Sequence, residues 1–179
     1  MTFSNPAGNA VASAAAYVRA LLEVLGSRPP LEVLNELVPW LAERTQGIGE
    51  ATLRQPEAPG KWSVVHVVQH LADSELVFGF RLRMILTQDE PELVGYDQDR
   101  WAHALGYQDV PLDLALGQLR GLRTPHLRLA RALTPRQLER VGRHSERGPE
   151  SVAHLLKLMA AHDLVHRRQI ERILAAARR

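Results

Sequence analysis

Residues 149–177 carry the pattern that most constrains what this chain can become. On a wheel at about 100° per residue, Leu155, Leu158, Met159, Val165, Ile170 and Ile173 fall on one arc. The segment therefore reads as a long amphipathic helix with one buried face. His162 and His166 stand in the middle of that apolar arc. Burying two imidazoles in a core stripe is costly unless their nitrogens find partners. An i, i+4 pair lies on one face roughly 6 Å apart, a spacing from which both rings can converge on one divalent ion.

A second helix supplies a third imidazole. Ser63 is a natural N-cap, and Trp62 and Val67 occupy the two positions of a hydrophobic staple, so a helix should start there and run to about Leu86. Its apolar arc is Val64, Val67, Leu71, Phe78, Leu82 and Ile85, with His70 at the edge beside Ser74 and Val77. His70, His162 and His166 together form a neutral ligand set that leaves a metal its full double charge and one or more open positions. A site of two histidines and one carboxylate is the alternative. Asp73, Asp163 and Gln169 lie within one turn of these histidines and are candidates to orient their outer nitrogens. His66 is four residues before His70 and is the candidate fourth ligand; at N3 behind Ser63 it also suits a capping box, which is the preferred reading. His103, His126, His144 and His154 have no partner at ligand spacing in a core stripe and are read as non-ligands.

The rest of the chain fits an all-α fold. Hydrophobic residues make up 45% but aromatics only 5%, which favours helices packed through aliphatic ridges. A first helix over about 8–25 stops at Gly26. A second follows Pro29 and Pro30 and carries Leu31, Leu34, Leu37, Val38 and Leu41, with a kink or broken turn expected at Pro39. Residues 46–60 read as loop, and 87–110 as a long irregular connection that crosses from one end of a bundle to the other. A further helix is expected over about 111–132, a short turn at Thr134–Pro135, a loop over 143–148, and Pro149 at the first position of the last helix.

Composition also excludes. With no Cys, thiolate metal sites and a cysteine nucleophile are out. No apolar run reaches the ~18 residues of a membrane span, and residues 11–18 make a poor signal peptide, so a cytoplasmic location without a membrane partner is expected. Residues 1–119 hold 8 Lys and Arg against 15 Asp and Glu, and residues 120–179 hold 14 against 5. Ion pairing between the two halves explains this better than a nucleic-acid surface, because the later arginines are scattered singly without interleaved aromatics.

The strings Pro59-Gly60-Lys61-Trp62-Ser63 and His70-Leu71-Ala72-Asp73-Ser74-Glu75, and the last-helix run from Ala161 to Ile170, resemble signatures of the DinB-like superfamily. Residues 96–102 and 143–148 resemble its linkers. The resemblance covers roughly residues 29–175. It implies an up-and-down four-helix bundle of the DinB/YfiT type, often dimeric, preceded here by an extra N-terminal helix in residues 1–28, with residues 29–179 as the bundle domain. It also implies one metal held by three histidines, and His70, His162 and His166 each fall on a matching position. His66 departs from the pattern, where a carboxylate or other polar residue is more usual. Members resemble metal-dependent hydrolases, and relatives act on small molecules with low-molecular-weight thiols. The expected cofactor is one divalent transition metal, zinc or nickel ahead of iron, manganese or copper. The expected function is metal-dependent hydrolysis or thiol transfer on a small molecule in a homodimer, against a non-catalytic, metal-stapled stress-response protein as the competing class.

Overall fold

The structure is a computed structural model that describes the backbone of residues 10–177 and the side chains of residues 14–177. Its elements run α1 (Ala10–Leu25), α2 (Pro30–Thr45), α3 (Glu50–Arg54), α4 (Val64–Thr87), β1 (Glu92–Leu93), α5 (Gln98–Ala104), a 3-10 turn (Tyr107–Asp109), α6 (Leu112–Arg131), α7 (Pro135–Leu138), β2 (Val141–His144), β3 (Gly148–Ser151) and α8 (Val152–Ala176). Helices α2, α4, α6 and α8 pack on one another as a four-helix bundle, and α1 lies against α8.

Local chemistry explains most boundaries. Pro30 opens α2, where a missing N–H costs nothing. The helix then passes Pro39 without the broken turn expected there. An interior proline costs on the order of 3 kcal/mol, and burial of Leu34, Leu37 and Leu41, each worth roughly 2 kcal/mol, outweighs it. Thr134 and Gln137 form a reciprocal capping box on α7.

The stretches expected to be irregular hold more structure than their sequence signals. Residues 46–60 contain α3, pinned by buried Leu53. The connection after α4 contains β1, α5 and the 3-10 turn. β1 pairs in parallel with β2, which pairs antiparallel with β3, so part of the expected 143–148 loop is a hairpin turning at Gly148, whose φ is +79°. Pro149 is not the first residue of α8. It lies in the edge strand β3 opposite Arg143, a position that tolerates a missing donor. Ser151 caps α8 instead, accepting from the His154 N–H at 3.1 Å.

The core divides along the helix axes. One apolar cluster holds Leu21 and Leu25 of α1 with Leu34, Phe78, Leu82, Ile85, Leu127, Leu155 and Met159. The other holds Leu37, Leu41, Val64, Val68, Leu71, Leu119, Ile170 and Ile173. Where one gives way to the other, the helices meet through charge. Arg123 of α6 donates from Nε to Glu75 of α4 at 2.8 Å, and from Nη1 and Nη2 to Asp163 of α8 at 2.7 and 3.2 Å. Its Nη1 also reaches the Leu34 carbonyl of α2 at 2.7 Å. The remaining Glu75 oxygen lies 2.7 Å from His126 Nδ1. Gly79 makes room for that imidazole, since a Cβ there would fall 1.9 Å from His126 Cε1. All four helices are thus tied by one side chain.

The charge asymmetry of the sequence resolves into ion pairs between the halves: Arg167 with Glu36 at 2.9 Å, Arg172 with Glu57 at 2.6 Å, and Arg140 with Asp89 at 3.3 Å. Among the described residues no helix is long and apolar enough to cross a membrane.

Arg123→Met should leave Glu75 and Asp163, both fully buried, without a counter-charge. Removing one partner of a buried ion pair costs on the order of 3–5 kcal/mol. Urea unfolding should show that loss; a change under about 1 kcal/mol would mean the carboxylates find protons or water instead.

Candidate functional site

The polar layer between the two apolar clusters also holds three histidines. His70 projects from α4, and His162 and His166 from successive turns of α8, with ring centroids 5.1, 4.8 and 4.3 Å apart. The rings meet through one type of atom. His162 Nε2 lies 3.0 Å from His70 Nε2 and 3.1 Å from His166 Nε2. The group's ligand atoms all fall within 4.8 Å of one another, the one such cluster among the described residues.

The protonation states of the three rings set what this convergence offers. His166 Nδ1 stands 2.7 Å from the Gln169 side-chain oxygen, so Nδ1 carries the proton and Nε2 points inward as a bare lone pair. Burial pushes the His166 pKa down to about 4, and burial with neighbouring positive charge holds His70 and His162 well below the usual range. All three rings are neutral at pH 7. Three neutral nitrogens crowding one point suit a cation: tetrahedral bonds of about 2.0–2.1 Å would set ligand nitrogens roughly 3.3 Å apart. Two buried atoms, His70 Nδ1 and His162 Nδ1, have no hydrogen-bond partner.

Of the three residues expected to orient these rings, only Gln169 does so. Asp163 is spent on Arg123; one residue on from His162, it points about 100° around the helix, into the bundle. Asp73 accepts from Tyr107 Oη at 2.6 Å, Gln118 Nε2 at 2.9 Å and Gln69 Nε2 at 3.1 Å, and none of these partners is a histidine. His66 stands outside the cluster. Its Nδ1 lies 2.9 Å from Ser63 Oγ and accepts the Ser63 N–H at 3.5 Å, while its own N–H donates to Ser63 Oγ at 3.4 Å. That is the capping box expected of it.

Ser74 and Tyr96 are neighbours that spacing alone did not single out. Ser74 Oγ sits 3.4 Å from His70 Nε2 and 2.8 Å from Tyr96 Oη. Ser74 shares a helix face with His70 at i, i+4, a signal present in the sequence. Tyr96 comes from the irregular connection and has no such signal. Trp62 packs its ring 5.0 Å from that of His70.

The histidines line a cavity of about 1340 Å³. One face of α4 runs along it through His70, Ser74, Val77 and Arg81, and α8 faces it with Leu155, Leu158, His162 and His166. Tyr17 and Leu21 of α1, Tyr96, and His144 and Arg147 of the hairpin complete the wall.

The sequence profile of the DinB superfamily matches residues 40–170. The chain belongs to this superfamily. All three clustered histidines lie inside the matched span. A protein of Oceanobacillus iheyensis named "putative metal-dependent hydrolase" is 32% identical over 107 residues, 60% of this chain and 62% of that protein. A Bacillus mycoides protein of the same name is 28% identical over 136 residues, 76% of this chain and 78% of that one. YfiT from Bacillus subtilis, described as a probable metal-dependent hydrolase with an unusual four-helix bundle topology, superposes with a TM-score of 0.74 at 26% identity, covering 83% of this chain and 84% of its own. The DinB fold is therefore established for this chain by sequence and by structure.

The cavity's hairpin wall gives a pH prediction independent of the three clustered histidines. His144 is buried, and burial together with Arg147 and Arg81 pushes its pKa down to about 4, against the pull of Glu150. The unfolded chain, with a histidine pKa near 6.5, binds a proton at pH values where the folded state does not. This contribution is present above about pH 6.5 and is lost as pH falls toward 4. Thermal unfolding at pH 7.5 and 5 should show a larger acid loss for wild type than for His144→Gln. Equal losses would mean that His144 does not titrate between the two pH values.

Proposed function

We propose that this DinB-superfamily protein is a metal-dependent enzyme acting on a small molecule, with one divalent ion held by the Nε2 atoms of His70, His162 and His166. The observation that carries the reading is the convergence of three neutral imidazoles, two buried and one half-buried, on the wall of a large cavity. A divalent ion in such a set supplies Lewis acidity, polarising an oxygen or lowering the pKa of water or of a thiol. Three neutral ligands leave its charge undiminished, and His66, tied to Ser63, leaves a position open to substrate. Zinc or nickel suits the imidazole set first.

The chain's own residues supply the rest. Ser74 Oγ faces the point where the imidazoles meet and shares a hydrogen bond with Tyr96 Oη. Burial raises the Tyr96 pKa, with the Ser74 bond opposing, so the phenol keeps its proton at neutral pH. Ser74 and Tyr96 thereby form a two-hydroxyl path for delivering a proton to a leaving group. Trp62, 5.0 Å from His70, helps to exclude water from the rings. Hydrolysis is the first reaction to test, in line with the names of the relatives. Transfer of a thiol co-substrate is the second, favoured by the cavity, which exceeds the roughly 300–1,000 Å³ of an ordinary ligand pocket.

Elemental analysis of untagged protein should find one divalent ion per chain. His70→Ala, His162→Ala and His166→Ala should each lose most of it, whereas His66→Gln and His103→Ala should retain it. The ligands must be neutral to bind, so a triple alanine variant that keeps full occupancy would remove the site. In cobalt-substituted protein, azide or a small thiol should change the visible spectrum. An indifferent spectrum would mark a closed, structural ion.

A further inference from the structure

The cavity has a second polar end, away from the three imidazoles. Arg81 of α4, His144 of β2 and Arg147 of the hairpin turn line it. Two buried nitrogens there have no hydrogen-bond partner, Arg81 Nε and His144 Nε2. Both are donors. His144 Nδ1 accepts the Glu146 backbone N–H at 3.2 Å, and depression of its pKa keeps the ring neutral at pH 7, so the ring proton resides on Nε2. The Arg81 guanidinium is anchored through Nη2, which donates to the Val94 carbonyl at 2.5 Å; its Nε–H is left without an acceptor. Buried N–H groups without acceptors are rare in native structures and call for a partner.

The charges narrow the partner. Arg147 is matched by Glu150, with Nε and Nη2 at 2.5 and 3.0 Å from its two oxygens. Among the described residues no carboxylate lies within ion-pair distance of Arg81. One half-buried guanidinium without a counter-charge, its Nε–H buried and unmatched, next to one neutral N–H, fits a group with a single negative charge and two acceptor oxygens. A dianionic phosphate would bring a second charge with no partner, toward Glu146 and Glu150. Between the two ends the lining is mostly apolar, with Val77, Leu155, Leu158 and Met159 beside the Ser74 and Tyr96 hydroxyls. His70 and Arg81 stand on one face of α4 with a rise of roughly 16 Å between their positions.

We propose that Arg81 and His144 form a carboxylate-binding subsite, and that the substrate is an elongated carboxylic acid with an apolar body. Its acid group docks at this end while its reacting group lies at the three imidazoles. The second half of this statement rests on the proposed metal-dependent reading; the subsite itself does not.

The test uses hexanoate and its neutral isostere hexanamide, titrated into the full-length, 15N-labelled protein at constant ionic strength, both metal-loaded and chelator-treated. Hexanoate should shift the Arg81 Nε–H and His144 Nε2–H resonances saturably and bind about tenfold or more tightly than hexanamide, the scale of a charge-assisted pair. Arg81→Gln should abolish that preference while metal content stays unchanged. His162→Ala should keep the preference while losing metal, so a failure of the metal reading and a failure of the subsite appear in different measurements. Wild type that binds the two probes equally would overturn the proposal, as would Arg81→Gln that keeps the preference. Inorganic phosphate that displaces hexanoate as well as hexanoate itself would overturn the carboxylate assignment. If Arg81→Gln does not fold, the saturable shift of the two wild-type resonances decides the matter alone.

Discussion

Arg123 is the side chain on which the arrangement of this bundle depends. Apolar ridges permit helices to slide and rotate against one another at modest cost, because dispersion and burial are not directional. A guanidinium clamped between Glu75 and Asp163 is directional, and within a low-dielectric interior every misaligned hydrogen bond is expensive. Glu75 fixes the rotation of α4, Asp163 that of α8, and the Leu34 carbonyl brings α2 to the same level. Burial alone would lower the Arg123 pKa, but the two carboxylates outweigh it and raise it instead, so the cation persists. With α8 fixed through Asp163, His162 is turned about 100° away from Arg123, toward the cavity. The charge clamp and the histidine cluster are two faces of one constraint.

Keeping three imidazoles neutral follows from the same packing. In water each would be partly protonated near its ordinary pKa of about 6.5; between Trp62, α4 and α8 each would have to carry its charge without solvent. Desolvation is therefore the leading cause of depression at all three. Three lone pairs that do not compete with protons at neutral pH are what a cation needs. The cost of assembling them is met by the large apolar contacts on either side, from Ile170 and Leu71 toward one end and Leu155 and Phe78 toward the other.

Much of this was legible in the sequence, and the divisions are physical. The long helices announce themselves through apolar period and caps, and His162 and His166 through their position in the arc of α8. The reciprocal bonds of Ser63 and His66 follow from capping chemistry alone. Asp73 and Asp163, candidates by proximity with Asp163 the weaker for pointing about 100° away from His162, bind elsewhere because proximity along a helix says nothing of competing partners. Tyr107 and Arg123 lie 34 and 40 residues from the aspartates they bind, beyond the reach of any periodicity. The hairpin over 141–151 escaped because four-residue strands carry too little alternation to read, and Pro149 imitated a helix start that Ser151 in fact supplies. Tyr96 and His144 enter the cavity from those same irregular segments, so the parts of the site invisible to periodicity are the parts contributed by loops.

The manner in which the rings are held bears on how firmly any ion would sit. Metal-binding histidines usually donate their outer N–H to a carboxylate or carbonyl, which locks the ring and strengthens the ligand. Only His166 has such an acceptor, Gln169, while the outer nitrogens of His70 and His162 are buried and unmatched. A neutral amide polarises an imidazole less than a carboxylate would, and two rings lack even that. Their orientation comes from packing, His70 against Trp62 and His162 between its two neighbours. Packing fixes position without raising basicity. Such a set favours an ion that keeps strong Lewis acidity and exchanges readily, because its ligands donate weakly. The aspartates whose absence from the outer positions causes this are those that clamp the helices through Arg123 and hold Tyr107, so the fold's mechanical demands also tune the chemistry available at the cavity wall.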